Sequence, residues 1–117
     1  NIGVIPWGPL AGGFLTGKYR KGEKAPSDAR LSKPNALYGG VLNEANWSKL
    51  AKLEAFASER GHTVGELAIA WLLSKPWVST VIAGAKKPEQ VSANITAEKW
   101  KLTAEEAAKV DDITSGK

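Results

Sequence analysis

Apolar positions along the chain follow two rhythms, one confined to short β-branched runs and one recurring at three- and four-residue spacing, which predicts strands alternating with helices. Val4-Ile5, punctuated by Pro6, reads as a buried strand. It delivers a glycine-bearing loop that passes through Trp7, Gly8, Pro9, Leu10, Ala11, Gly12 and Gly13 and continues by Phe14 and Leu15 to Gly17-Lys18. Residues 20 to 43 are rich in Lys, Gly, Pro, Ser and Asn and show neither rhythm, so they form a long basic loop. From about Glu44 to Arg60 the pattern is helical: Trp47, Leu50, Leu53 and Ala57 mark one face, and Gly61 supplies the stop. Thr63 and Glu66 have the capping-box spacing and open a second helix through Leu67 to Leu73, apolar on nearly every side and therefore buried. Pro76 ends it. Val78 to Ala83 reads as a second buried strand, and Pro88 starts a helix at its favoured first-turn position and carries it through Ile95. Thr103 and Glu106 repeat the capping box before a closing helix whose inner face is Ala107, Val110 and Ile113.

The order is thus strand, long loop, helix, helix, strand, helix, helix, which predicts an α/β chain with parallel pairing. Two such strands alone leave too many backbone groups and apolar faces uncovered for a stable sheet. Together with the lack of any methionine in the 117 residues, this leads us to expect a fragment of a larger protein. Self-association through the open strand edges is an alternative way to cover them.

Composition narrows the chemistry. With 43% hydrophobic residues the chain is of ordinary globular type, and with no cysteine it offers no disulfide or thiolate chemistry. A single histidine makes a protein-built zinc site a poor expectation. His62 lies in the turn between two helices, where a structural or solvated role outweighs a catalytic one, since a general base needs partners within reach. No apolar run reaches the roughly 18 residues of a membrane span; we expect a cytoplasmic protein with no membrane partner. The formal charge is +4, and Lys18, Arg20, Lys21, Lys24, Arg30 and Lys33 crowd just after the glycine loop. That cluster suits an anionic partner. Trp is not interleaved with it as in nucleic-acid readers, so no nucleic acid is expected.

Both strands end in loops of one chemical kind. In the first, glycines let amide hydrogens approach a ligand with no Cβ in the way, Lys18 adds a charge, and Trp7 offers a flat face for a ring. In the second, Gly84, Ala85, Lys86 and Lys87 lead into a helix N-terminus, where dipole, free N–H groups and ammonium charges act together on an anion. The same glycines would equally serve turns alone, Trp7 would serve as core, and the basic loop would serve as a solvated connector or a lid. In α/β barrels, ligands bind at the carboxyl ends of the strands, and the loops after the last two strands often hold phosphate.

Four consecutive segments, IGVIPWGPLAGGFLTGKY (2–19), RGHTVGELAIAWLLSKP (60–76), STVIAGAKKPEQVSANI (79–95) and WKLTAEEAAKVDDI (100–113), resemble the C-terminal third of a bacterial-type aldo-keto reductase, over essentially the whole chain. The resemblance implies the C-terminal part of a (β/α)₈ barrel, about two β/α units plus a terminal helix, in a family that reduces aldehydes and ketones with NADPH. It implies that residues 1–117 are a cofactor-binding portion, that Trp7 stacks on the nicotinamide, and that Gly8 to Gly13 strap the pyrophosphate. Lys18 and Arg30 match basic positions reaching the phosphates; Gly84, Ala85 and Lys86 match the loop at the adenosine 2′-phosphate; Gln90 and Asn94 match residues at the adenine. Gly8 stands where a serine is common, and Ala93 where an acidic residue is. Lys86 favours NADP(H) over NAD. The family's catalytic Asp, Tyr, Lys and His have no counterpart among these residues, and neither Tyr19, Tyr38 nor His62 matches them. The implied parent is a carbonyl reductase, and this piece by itself is expected to be inactive. The same barrel resembles the β-subunits of voltage-gated potassium channels, which gives a non-enzymatic alternative in nucleotide binding that serves a regulatory partner.

Overall fold

The computed structural model describes residues 2–32 and 37–116. Four α-helices carry the fold: α1 (Glu44–Ser58), α2 (Val64–Leu73), α3 (Pro88–Glu98) and α4 (Ala104–Ser115). Each begins where local chemistry satisfies its first amide hydrogens. The Asn43 side chain accepts from Asn46 N–H (2.9 Å) and the Thr63 hydroxyl from Glu66 N–H (3.2 Å). At α4 both halves of the capping box form, Glu106 N–H to Thr103 Oγ1 (3.1 Å) and Thr103 N–H to Glu106 Oε2 (2.9 Å). Helix α1 closes as a Schellman turn: Gly61 takes φ +73°, its N–H donates to Ser58 O, and His62 N–H donates to Ala57 O, each at 3.0 Å.

The helices enclose one core. Leu50, Leu53, Phe56 and Ala57 of α1, Val64 and Leu67 of α2 and Val110 of α4 meet Phe14, Tyr19, Ala29 and Leu31 from the segment before α1. Leu67 is 1% exposed and Val110 3%. The expected inner faces of α1 and α4 are therefore the observed ones. Helix α2 also lies along α3, and Ile69 and Ala70 of α2 and Ala97 of α3 are buried outside the main cluster. Polar ties cross the same joints. Asp111 accepts from Trp71 Nε1 (2.7 Å) and pairs with Lys75 Nζ (2.9 Å), linking α4 to α2, while Arg60 Nε donates to Glu106 (3.0 Å), linking α4 to the end of α1.

The two strands need correcting. Among the described residues there is no extended strand; residues 4–7 and 77–82 run parallel and meet at two isolated bridges, Val4 with Val78 and Trp7 with Ile82. Val4 N–H donates to Trp77 O (2.8 Å), Ser79 N–H to Val4 O (2.9 Å) and Ile82 N–H to Pro6 O (2.9 Å). Pro6 has no amide hydrogen to return. Between the bridges the second segment carries one residue more than the first, so the ladder is interrupted as at a β-bulge. Nor are these segments buried: Ile5 is 55% exposed, Trp7 63% and Ile82 57%.

The described residues of the loop 20–43 contain structure of their own. Two single 3-10 turns, Arg30–Ser32 and Gly39–Val41, punctuate it, and Tyr19, at its start, fixes it by accepting from Leu31 N–H at 3.1 Å. Lys33 of the basic cluster lies outside the described residues. Among the described residues no helix is long and apolar enough to cross a membrane.

Candidate functional site

Because the pairing is parallel, the chain leaves both segments at the same end: Trp7 hands on to the glycine loop beside the point where Ile82 hands on to Ala83 and Gly84. The first loop tightens into 3-10 turns over Ala11–Thr16, with Gly8, Gly12 and Gly13 at φ +66°, +68° and +100° and Gly17 closing in the left-handed region. No other residue type takes up three such conformations so near one another without strain. Ala11 also has φ +48°, a cost of about 1 kcal/mol stored in the turn.

Space on the Cα side of these glycines is filled by the chain itself. A Cβ on Gly8 would overlap the Tyr38 hydroxyl oxygen and stand 3.3 Å from Tyr38 Cζ. One on Gly12 would lie 2.9 Å from Tyr38 Cδ2 and 3.1 Å from Leu31 Cδ2, and one on Gly13 2.5 Å from Lys18 Cε. Packing against Tyr38 and Leu31 thus adds to the positive φ in favouring glycine at 8 and 12, whatever else approaches the turn. Within the turn the amide hydrogens of Ala11, Gly13 and Leu15 are spent on Gly8 O, Leu10 O and Leu10 O.

Trp7 is not core. Its ring stands open to solvent with Tyr38 beside it, centroids 6.4 Å apart and planes tilted by 57°. Beneath lies an apolar hollow of about 260 Å³ walled by Trp7, Leu15, Leu67, Trp71 and Leu72, with no charged residue on its lining. Lys18 and Arg30 are both exposed at the edge of the turn. Two others of the basic cluster are neutralised: Arg20 lies 3.6 Å from Glu54 and Lys21 2.6 Å from Glu44, which flank a second hollow of about 350 Å³ against α1. The positive field of the loop is weaker than its composition suggests.

In the second loop Gly84 has open space around it, and Lys86 and Lys87 are exposed. Gln90 and Asn94 lie one helical turn apart on α3. The amide hydrogens expected to be free here are not all so: Gln90 Oε1 accepts from Lys86 N–H (2.6 Å) and Lys87 N–H (3.3 Å). That also commits the carbonyl end of Gln90, so of its amide only Nε2 remains for a ring edge. Glu66 departs from the capping box in a similar way. Its carboxylate is bonded to His62 Nδ1 instead of Thr63 N–H, and the His62 ring stacks on Trp100 at 4.0 Å with planes 8° apart. His62 is a structural clamp between α2 and the segment before α4.

Sequence reasoning missed Tyr38, the residue on which the turn closes. An aromatic in an otherwise polar, glycine-rich stretch was the available signal.

Parallel segments joined by helices, with glycine-bearing loops side by side at one end, define the α/β class in which ligands sit at the carboxyl ends of strands. The chain belongs to the aldo/keto reductase family, whose profile matches residues 1–115. It is 38% identical to a putative voltage-gated potassium channel subunit beta of Schizosaccharomyces pombe, over 97% of this chain and 34% of that protein. It is 36% identical to the L-glyceraldehyde 3-phosphate reductase of Escherichia coli K12, over 95% of this chain and 33% of the reductase. Among solved structures it resembles the glycerol dehydrogenase of Gluconobacter oxydans, with TM-score 0.74 and 31% identity, over 97% of this chain and 34% of that one. The chain spans about a third of the length of the relatives it matches.

Proposed function

We propose that this chain is the cofactor-binding part of a (β/α)₈ aldo-keto reductase, where it holds NADP(H) so that hydride reaches the carbonyl carbon of an aldehyde or ketone. The observation that carries the reading is the shared end of the two bridged segments, with the exposed Trp7 ring between a glycine turn and the Gly84–Lys87 loop. The residues fit the cofactor by chemistry. Trp7 offers a face for a nicotinamide ring, Lys18 and Arg30 offer charge to the pyrophosphate, and Lys86 stands exposed at the N-terminus of α3 for the 2′-phosphate. Asn94 and the Nε2 of Gln90 are left for the adenine edge. When bound, the nicotinamide supplies the hydride; this chain's residues bind and orient it. The family's catalytic Asp, Tyr, Lys and His have no matching positions in this chain, so turnover is expected only in a barrel that supplies them.

Binding is the test. Titration should quench Trp7 fluorescence and give a lower Kd for NADPH than for NADH, and Lys86→Ala should bring the two values together. Equal affinities in both proteins would remove the 2′-phosphate assignment.

Relatives described as potassium-channel β-subunits, at 38% identity, favour a second reading in which the nucleotide serves a partner protein. Steady turnover of a carbonyl substrate by the intact protein would argue for the enzyme. The exposed apolar residues Val4, Ile5, Trp77 and Ile82 favour association of the chain with itself when nothing else covers them; a monomer by light scattering would exclude that.

A further inference from the structure

Tyr38 touches everything on which the first loop's reading rests, yet nothing so far gives it a role beyond packing. Its ring lies against Gly12 and beside Trp7, and its hydroxyl reaches the Cα of Gly8. The contrast with Tyr19 is informative. Tyr19 is 2% exposed and its hydroxyl is occupied by Leu31 N–H. The half-buried Tyr38 has no hydrogen-bond partner for its hydroxyl among the described residues, and that oxygen is not among fully buried unpaired atoms. A phenol thus stands at the mouth of the glycine turn, with its ring fixed on two sides and its donor unspent.

We propose that Tyr38 is a ligand-contacting residue, its hydroxyl donating to the phosphate oxygens of a nucleotide seated on the Gly8–Gly13 turn. The inference rests on the nucleotide reading above and adds a residue to it. The ring covers the Cα side of Gly8 and Gly12, where a side chain would otherwise stand. Its hydroxyl supplies from the long loop a donor that the turn, being glycine at positions 8, 12 and 13, cannot supply from its own side chains.

The test compares the chain with Tyr38→Phe and Tyr38→Ala by calorimetric titration with NADPH and with inorganic pyrophosphate. A hydrogen bond to a charged acceptor predicts that Tyr38→Phe weakens both ligands by roughly ten- to a hundredfold. The unfolding midpoint should stay put, because the ring and its contacts remain. Tyr38→Ala should bind at least as weakly as Tyr38→Phe and also unfold more easily. Wild-type affinity in Tyr38→Phe overturns the inference and leaves the nucleotide reading standing, and so does tighter binding by Tyr38→Ala, which would make the ring an obstacle. Failure of the unaltered chain to bind either ligand overturns both.

Discussion

Gly8→Ala, made once with Tyr38 in place and once with Tyr38→Phe, separates what the backbone demands of position 8 from what its neighbour demands. Gly8 has φ +66°, where a Cβ costs about 1–2 kcal/mol in any background. With Tyr38 present the new methyl also overlaps the phenol oxygen, and displacing the end of this half-buried side chain costs about 1–2 kcal/mol, the lower part of the range for overpacking. The single substitution should therefore lower stability by about 2–4 kcal/mol. With phenylalanine at 38 the overlapping atom is gone and the next, Cζ, lies 3.3 Å away, a tight contact that a small ring shift relieves. Only the backbone penalty then remains. The cycle should show a coupling of about 1–2 kcal/mol, measured by urea unfolding with circular dichroism and tryptophan fluorescence at constant m. The two substitutions adding to within about 0.5 kcal/mol would refute the placement of Tyr38 on the turn, and with it the premise of the phosphate contact. Gly61→Ala serves as the internal reference. It has φ +73° and nothing within 4 Å of the added methyl, so it should show the backbone penalty alone.

Four further outcomes follow from the core and its ties. Leu67→Ala, at the most buried large side chain, should destabilise the chain by about 2–5 kcal/mol, read as a drop in urea midpoint without change of m. Asp111→Ala leaves Trp71 Nε1 and the 16%-exposed Lys75 side chain without their partner and should cost about 1–3 kcal/mol at neutral pH, a loss that Lys75→Met in the same chain should reduce. Hydrogen bonding from Lys75 holds Asp111 below the usual carboxylate range, and the Thr103 amide holds Glu106 there. Folded-state values below the unfolded ones mean stability that is present above about pH 4 and lost as pH falls through them, so unfolding curves between about pH 3 and 6 should show the loss and Asp111→Ala should flatten it. Thr103→Ala removes the acceptor for Glu106 N–H and should cost about 1 kcal/mol by the same assay.

The helices were legible because their signals are local. Thr63, Thr103 and Gly61 act on amides or carbonyls within a few residues, and a three-to-four spacing places Leu50, Leu53 and Val110 on an inner face whatever lies opposite. Strands have no such independence. Val4-Ile5 and Val78–Ala83 have strand composition, but a ladder exists only where a neighbour returns the hydrogen bonds, and here Pro6 and an extra residue interrupt the pairing. Burial misled for the same reason. An apolar strand is buried by what covers it, and nothing in residues 78–83 states that Ile82 is open to solvent.

At the candidate site the two readings of the glycine turn, packing and ligand approach, looked like rivals because the sequence gives no direction to a missing side chain. Tyr38, Leu31 and Lys18 fill the positions a Cβ would take, which adds to the positive φ in favouring glycine, and the turn they stabilise is the one that fixes where its remaining amides point. The second loop shows the converse. Gln90, four residues beyond Lys86, satisfies the amides of Lys86 and Lys87 by an ordinary helix-cap contact, so α3 presents an anion with the Lys86 and Lys87 ammonium groups more than with free N–H groups. Discrimination between NADPH and NADH at that loop should accordingly fall steeply with added salt, as expected for exposed point charges, and persistence of the full ratio at high ionic strength would mean that backbone donors still hold the phosphate.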